Sequence, residues 1–78
     1  MEVKENLYRI LREEFQVSES IDPETKLIDD LGFESLSLVD LACQLEHVTG
    51  VKVKQCEAIA WTTVDSVLKT FSDIEGKN

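Results

Sequence analysis

Apolar residues recur with helical spacing over the first fifteen residues of the chain. Their positions follow the series i, i+4, i+7, i+8 and i+12, which places them on one face of an α-helix. These residues are Val3, Leu7, Ile10, Leu11 and Phe15. The pattern predicts a first helix over residues 3–15 that turns this face toward a core.

A second apolar stripe predicts a central helix. Its members are spaced by three, one, three and three positions, and they are Leu38, Leu41, Ala42, Leu45 and Val48. Gly50 follows the stripe, and glycine is common just beyond a helix end because it adopts a positive φ without strain. We therefore predict a helix from Ser35 to Thr49 with this stripe buried.

The last third of the chain predicts one short helix and one longer helix. "VKVK" at 51–54 alternates like a strand but has no partner, and "QCEAIAW" at 55–61 can form the short helix. We predict that the longer helix begins at Thr62, because Asp65 stands at the spacing of a capping box. Residues 73–78 should form a frayed tail. The inward side chains of the longer helix would be Val64, Val67, Leu68 and Phe71.

These elements predict an all-α fold, a small bundle of three main helices and one short helix, in a single domain over residues 1–78. The connection between the first two helices, 16–34, is long, which is typical of functional or disordered segments. Asp22 and Pro23 can cap a helical turn within it. Three apolar residues should tie it to the core: Leu27, Ile28 and Leu31.

The composition narrows the class of partner. The 78 residues include 16 Asp and Glu against 8 Lys and Arg, for a formal net charge of −8 at pH 7. Such a surface repels nucleic-acid phosphates and anionic lipids and favours basic protein partners. No apolar run approaches the ~20 residues of a membrane span, and the first ten residues lack the apolar core of a signal peptide. We therefore expect a cytoplasmic protein with no membrane span and no nucleic-acid partner.

The two cysteines do not indicate a metal site. Cys43 and Cys56 are not spaced as a metal-binding or redox pair, and His47 is the only histidine. A structural zinc site needs about four ligands in recognisable spacing. We expect both thiols to be small packing residues in a reducing compartment, with no metal bound.

The stretch "DDLGFESLSLVDL", residues 29–41, raises the question of what Ser35 does. A nucleophilic serine needs a base within hydrogen-bond distance. His47 lies twelve positions further along the same predicted helix, about 18 Å away at 1.5 Å per residue. "GFESL" also lacks the second glycine of the Gly-x-Ser-x-Gly turn of hydrolases. These features argue against a serine hydrolase.

Two other interpretations of Ser35 remain. Serine is a preferred helix N-cap, worth about 1 kcal/mol, and the preceding Phe33 and Glu34 are poor caps. Alternatively, Ser35 is a point of covalent attachment, since a hydroxyl at a helix start, just past Gly32, is accessible to another enzyme. A phosphodiester at this position is favoured by the positive end of the helix dipole.

The same stretch resembles the signature of the acyl carrier protein family, whose centre is usually Asp-Ser-Leu. Size, charge and helix order resemble that family over nearly the whole chain. The resemblance implies that Ser35 carries a 4′-phosphopantetheine arm, installed from coenzyme A by a phosphopantetheinyl transferase that supplies its own base. We expect a monomeric carrier and not an enzyme. It would present thioester-bound acyl groups, in fatty-acid, polyketide or another specialised biosynthesis, to acyl-loading and acyl-processing enzymes with basic docking patches.

The chain departs from the family pattern at several positions. Glu34 stands where aspartate is usual, and Ser37 where a second acid is common. Thr49 stands where an aromatic residue is frequent, and Trp61 where an aliphatic residue is usual. These departures favour a specialised pathway over a housekeeping role in fatty-acid synthesis.

The predicted central helix also has an outward face. It comprises four residues spaced i, i+4, i+7 and i+11, with two more at the margins. We give the name docking stripe to these six residues: Leu36, Val39, Asp40, Cys43, Glu46 and His47. One interpretation is an ordinary solvated face. In the other, the apolar members contact a partner while the acidic members attract its basic side chains. The family resemblance favours docking.

Two rival functions belong to other classes. One is a carrier-like domain that is never modified and serves as an interaction or scaffolding subunit, since an intact serine does not prove modification. The other is a calcium sensor, which the acid-rich connection suggests. An EF-hand loop that began at Asp29 would need oxygen ligands where Leu31 and Phe33 stand, so the pattern argues against it.

Trp61 bears on where a cargo would lie. In acyl carrier proteins the acyl chain can enter the bundle, and the resemblance would place it near Trp61. A buried indole N–H needs a hydrogen-bond partner, so we predict that one edge of Trp61 lies near water. A long chain on Ser35 should then displace the indole or stay outside the bundle.

Overall fold

Four helices follow one another along the chain in a computed structural model, which describes the backbone of residues 3–76 and the side chains of residues 3–74. They are α1 (Val3–Glu13), α2 (Ser35–Thr49), α3 (Gln55–Ala58) and α4 (Val64–Gly76). The predicted all-α fold of three main helices and one short helix is confirmed. None of these helices is long and apolar enough to cross a membrane.

The C-terminal end of the fold differs from the prediction of a frayed tail. Residues 73–76 continue α4, which ends at Gly76. Residues 77 and 78 of the predicted tail lie outside the described part of the chain. The helix continues because Ile74 still packs against the core, one turn beyond the buried Phe71.

The core is formed by α1, α2 and α4 together with buried residues of the segments between them. Its largest fully buried side chains are Leu7, Leu11, Leu27, Leu38, Leu41, Leu45, Val64, Val67 and Phe71. Eight of them come from the three main helices, whose apolar faces the helical spacing predicts. The ninth, Leu27, makes the connection a part of the core.

The chain turns sharply after α1. The guanidinium of Arg12 donates from Nη1 to the carbonyl oxygens of Val17, at 3.2 Å, and Glu19, at 3.0 Å. Gln16 has a positive φ of 55° in this turn. The helix therefore ends at Glu13, two residues before the predicted end, and Phe15 packs against the core from the turn.

The long connection is organised around Asp22 and Leu27. Asp22 Oδ1 accepts a hydrogen bond from the Glu24 N–H at 2.8 Å, as expected for a capping aspartate. Leu27 is fully buried and Leu31 is half-buried, but Ile28 is 49% exposed, so its prediction as an anchor is wrong. In a helix-like turn consecutive side chains are about 100° apart, so burial of Leu27 directs Ile28 outward.

Backbone hydrogen bonds join the connection to the start of α4. There are three of them, which we name the loop pairing: Leu27 N to Thr62 O (2.9 Å), Val64 N to Thr25 O (3.0 Å) and Asp65 N to Pro23 O (2.9 Å). They surround an isolated antiparallel bridge between Lys26 and Thr63. The connection is thereby held against the bundle by its backbone as well as by Leu27.

Both predicted ends of α2 are confirmed. Gly50 follows the helix with φ of 74°, and its N–H donates to the Glu46 carbonyl at 2.8 Å. The predicted buried stripe is confirmed except at Val48, which is 39% exposed, while Thr49 is buried instead. Thr49 lies one turn after the buried Leu45, and its hydroxyl donates to the Leu45 carbonyl at 2.6 Å. This bond allows a polar side chain to be buried there.

α4 is capped by Thr63, and the prediction of a cap at Thr62 is wrong. Thr63 Oγ1 accepts a hydrogen bond from the Ser66 N–H, and Ser66 Oγ accepts one from the Thr63 N–H, both at 3.1 Å. This is a reciprocal capping arrangement with serine in place of an acid. Thr62 instead contributes its carbonyl to the loop pairing.

Trp61 lies inside the bundle between α3 and α4. It is 2% exposed, and its Nε1 donates to Thr70 Oγ1 at 2.9 Å. The expectation that a buried indole N–H finds a partner is confirmed. The expectation of an edge near water is wrong, because Thr70 of α4 supplies the partner within the protein.

The capping arrangement predicts different effects for two adjacent threonines. Thr63→Ala should lower the free energy of unfolding by about 1 kcal/mol, because it removes the acceptor for the first turn of α4. Thr62→Ala is the matched control and should change it little, since Thr62 is exposed and acts through its backbone. Urea unfolding followed by circular dichroism measures both, and equal losses would contradict the assignment of the cap.

Candidate functional site

The chain reaches Ser35 through a fixed turn. Gly32 has φ of +74°, and an ideal Cβ on it would meet no atom within 4 Å, so the backbone angle and not lack of space favours glycine. Phe33 is buried, and its N–H donates to the Leu27 carbonyl at 3.0 Å. Its ring packs on Phe15 with centroids 4.9 Å apart. The start of α2 is therefore held against the core.

Ser35 is the first residue of α2 and does not cap it. The cap position is held by Glu34, whose φ of −114° and ψ of 176° are extended and whose side chain makes no capping hydrogen bond. The first bond of the helix runs from the Leu38 N–H to the Glu34 carbonyl at 3.0 Å. The N-cap interpretation of Ser35 is therefore wrong, because the helix begins one residue earlier than that role requires.

The hydroxyl of Ser35 is free for chemistry. Its side chain is exposed, and it forms no hydrogen bond with any other residue among 3–74. Because Glu34 supplies no side-chain cap, the N–H groups of the first turn remain available to an acceptor. These groups and the positive end of the helix dipole favour an anion at this position. The site thus fits a phosphodiester on Ser35 Oγ.

The surroundings of Ser35 do not make it a nucleophile. His47 lies near the other end of α2. Asp29 and Asp30 are exposed on the approach, and Asp30 Oδ2 already accepts the Lys26 N–H at 2.9 Å. Among the described residues, no three His, Cys, Asp or Glu side chains come together as a possible metal site. In the described part of the chain, Ser35 thus has neither a histidine base nor a cluster of metal-ligand side chains beside it.

The docking stripe runs along α2 from the site. Leu36 is 82% exposed, and Asp40, Cys43 and His47 are also exposed. Val39 and Glu46 are half-buried at the margins. The stripe thus presents an apolar contact next to Ser35 and a carboxylate one turn further along. Its role in docking stays a prediction.

Glu46 has a structural role that sequence reasoning missed. Its Oε2 accepts a hydrogen bond from the Val53 N–H at 2.8 Å, which fixes the link between α2 and α3. Val53 is buried next to this bond. No local pattern reveals the contact, because its two partners are seven positions apart and separated by a helix end.

The prediction that both cysteines are packing residues is wrong. Cys43 and Cys56 are free, exposed thiols. Cys43 follows the buried Ala42 on α2 and so faces away from the core. It lines an open groove of about 480 Å³ between α1 and α2, together with His47 and Val48.

Exposed apolar side chains extend beyond the docking stripe. Besides Leu36 they are Ile28, Val48 and Ile59. Ile59 is 48% exposed and directly follows the four-residue α3. A helix this short has no periodic pattern from which the exposed side could be predicted. The sequence pattern therefore does not predict the exposure of Ile59.

Comparison with known proteins identifies the family. A family model described as "Phosphopantetheine attachment site" matches residues 5–71. An acyl carrier protein of Thermotoga maritima is 40% identical over 68 residues, which cover 86% of this chain and 84% of the relative. The chain belongs to the acyl carrier protein family.

Two further similarities concern the pathway and the fold. A meromycolate extension acyl carrier protein of Mycobacterium leprae is 36% identical over 58 residues, 74% of this chain and 50% of that protein. A solved structure assigned as an acyl carrier protein of Mycobacterium tuberculosis superposes with a TM-score of 0.81 at 25% identity, covering 92% of this chain and 97% of the other.

Membership of the acyl carrier protein family confirms four predictions, the one about partners in its general form. The fold is that of an acyl carrier protein. The family's cofactor is covalently attached 4′-phosphopantetheine, and its members are carriers and not enzymes. They interact with a phosphopantetheinyl transferase and with acyl-handling enzymes.

The bond from Val53 to Glu46 generates a testable prediction. Glu46→Ala should lower the free energy of unfolding by about 1 kcal/mol, because the Val53 N–H loses its acceptor. Glu46→Gln keeps an acceptor oxygen without the charge and should stay close to the wild type. Denaturant unfolding distinguishes the two. An alanine variant as stable as the wild type would show that the bond does not hold the link.

Proposed function

We propose that Ser35 bears the 4′-phosphopantetheine arm and that the protein carries acyl intermediates on it as thioesters. The observation that carries this proposal is the free, exposed hydroxyl of Ser35 at the first position of α2. Ser37, the other serine of this turn, is half-buried and thus less accessible. The arm supplies the thiol that forms the thioester. The exposed cysteines also carry thiols, but these lie on short side chains and lack the length of the arm.

Attachment is a phosphoryl-group transfer in which Ser35 supplies only the oxygen. Ser35 Oγ forms a bond to the phosphorus that bears pantetheine in coenzyme A. The pyrophosphate P–O bond breaks, and adenosine 3′,5′-bisphosphate leaves. The serine proton passes to the base of the transferase. This chemistry agrees with a serine that has no base beside it and a helix end that favours the attached anion.

The docking stripe is the surface that we propose for partners. Leu36 lies next to the attachment point, so a partner that binds the arm also meets this side chain. Asp40 carries an exposed carboxylate one turn further along. A partner with an apolar contact and basic side chains would match both features, and its approach would be accelerated by the net charge of −8.

The pathway and compartment complete the proposal. We infer a monomeric carrier for a specialised acyl or polyketide pathway and not for general fatty-acid synthesis. The departures at Glu34, Ser37, Thr49 and Trp61 support this, as does the similarity to a relative named for meromycolate extension. The exposed thiols of Cys43 and Cys56 support a reducing, cytoplasmic compartment.

The attachment site is tested by intact mass. A transferase of broad specificity with coenzyme A should add one phosphopantetheine to the wild type and to Ser37→Ala, and none to Ser35→Ala. Circular dichroism should show the same helicity for all three, because Ser35 makes no hydrogen bond in the fold. A wild type that gains no mass with several transferases would favour an unmodified scaffolding subunit, and a modified Ser35→Ala would move the site elsewhere.

The docking stripe is tested by association kinetics. Asp40→Lys should slow association with the transferase by up to about tenfold at low salt. The difference should shrink as salt shortens the Debye length from about 10 Å at 0.1 M to 3 Å at 1 M. Asp73→Lys is the matched control, since it makes the same change in net charge at an exposed position of α4. Equal slowing by both variants would remove Asp40 from the docking surface.

A further inference from the structure

Trp61 occupies the interior of the bundle through a defined set of contacts. The indole is 2% exposed, and its Nε1–H donates to Thr70 Oγ1 at 2.9 Å. Thr70 in turn donates from its hydroxyl to the Ser66 carbonyl at 3.1 Å. The N–H and the hydroxyl are both satisfied inside the protein, so the indole has one favoured position between α3 and α4.

Backbone hydrogen bonds link the residue after Trp61 to the segment that leads to Ser35. Thr62, the residue after Trp61, accepts a bond from the Leu27 N–H at 2.9 Å. The Leu27 carbonyl accepts one from the Phe33 N–H at 3.0 Å, and Phe33 stands two residues before Ser35. Two short backbone contacts thus connect the segment that holds the indole to the segment that holds the attachment point.

An acyl chain on Ser35 would gain free energy by leaving water for an apolar interior. Ala58 and Val64, each three residues from Trp61 in the chain, are fully buried as well, so Trp61 lies in a buried segment. Trp61 does not line the open grooves that contain Cys43, Asp22 or Ile28. Protein interiors are close-packed, so a chain can enter here only where the indole moves out and breaks its bond to Thr70.

We propose that Trp61 is a specificity-determining residue that fills the interior of the bundle between α3 and α4 and excludes long acyl chains on Ser35 from it. Longer chains on this protein stay outside the bundle and remain available to partner enzymes. This inference rests on the proposed attachment at Ser35 and names the class of cargo, long acyl chains, that the interior excludes.

The test measures stability against chain length. Wild type, Trp61→Leu and Trp61→Phe are loaded by a transferase with butanoyl, octanoyl and dodecanoyl phosphopantetheine, and intact mass verifies each product. A chain that is sheltered only in the folded state raises the melting temperature. We expect the wild-type Tm to be independent of chain length. In Trp61→Leu the dodecanoyl form should melt roughly 5 °C above the butanoyl form, with a smaller rise in Trp61→Phe, which opens less space.

The fluorescence of the wild type gives a second readout, because Trp61 is the only tryptophan. Its emission maximum and its quenching by iodide should be the same for all three cargos. A wild-type Tm that rises with chain length as steeply as that of Trp61→Leu would overturn the proposal. If Trp61→Leu does not fold, Trp61→Phe alone tests the proposal. A Tm independent of chain length in Trp61→Phe would also overturn the proposal. Failure of loading, seen by mass, refutes instead the attachment at Ser35.

Discussion

The loop pairing is the interaction on which the rest of the structure depends. About twenty residues separate α1 from α2, and a connection of that length loses considerable conformational entropy when it is ordered. Backbone bonds between this connection and the start of α4, together with burial of Leu27, offset that loss. They also set the position of Phe33 through its bond to the Leu27 carbonyl. The location of Ser35 is therefore a consequence of contacts made far from it in sequence.

The acidic surface contributes to recognition more than to stability. The described residues contain one ion pair, between Lys69 and Asp65 at 3.5 Å, and both side chains are largely exposed. Exposed pairs of this kind contribute little to stability. A net charge of −8 destabilises a compact chain through self-repulsion. The apolar core has to offset that repulsion, and the charge then remains available to attract basic partners.

The sequence predicts the parts of this fold whose signals are local. Both ends of α2 were predictable, since Gly50 takes the positive φ that ends the helix and the stripe before it is strongly periodic. The exposure of Val48 and the burial of Thr49 were not, because they depend on a hydrogen bond to Leu45 and on how α2 packs. The same holds for Thr62, whose capping role passes to Thr63 because the loop pairing uses the Thr62 carbonyl.

The candidate site shows the same division between local and tertiary signals. The position of Ser35 at a helix start follows from the motif, but its free hydroxyl does not, because serine at such a place is usually a cap. The exposure of Cys43 and Cys56 and the bond from Val53 to Glu46 likewise depend on tertiary packing. A single sequence predicts which face of a helix is apolar. It predicts less reliably whether a residue at the edge of that face is buried or exposed.

The start of α2 combines an incomplete helix end with an exposed hydroxyl. Most helices satisfy their first N–H groups with a side-chain cap, whereas Glu34 leaves them without one. The lost stabilisation is supplied by the packing of Phe33 on Phe15 and by its bond to Leu27, so α2 can begin without a cap. A phosphodiester on Ser35 would then meet uncapped N–H groups and the positive end of the dipole. The lack of a side-chain cap would weaken this helix end in isolation, and the same lack leaves its N–H groups available to an anion.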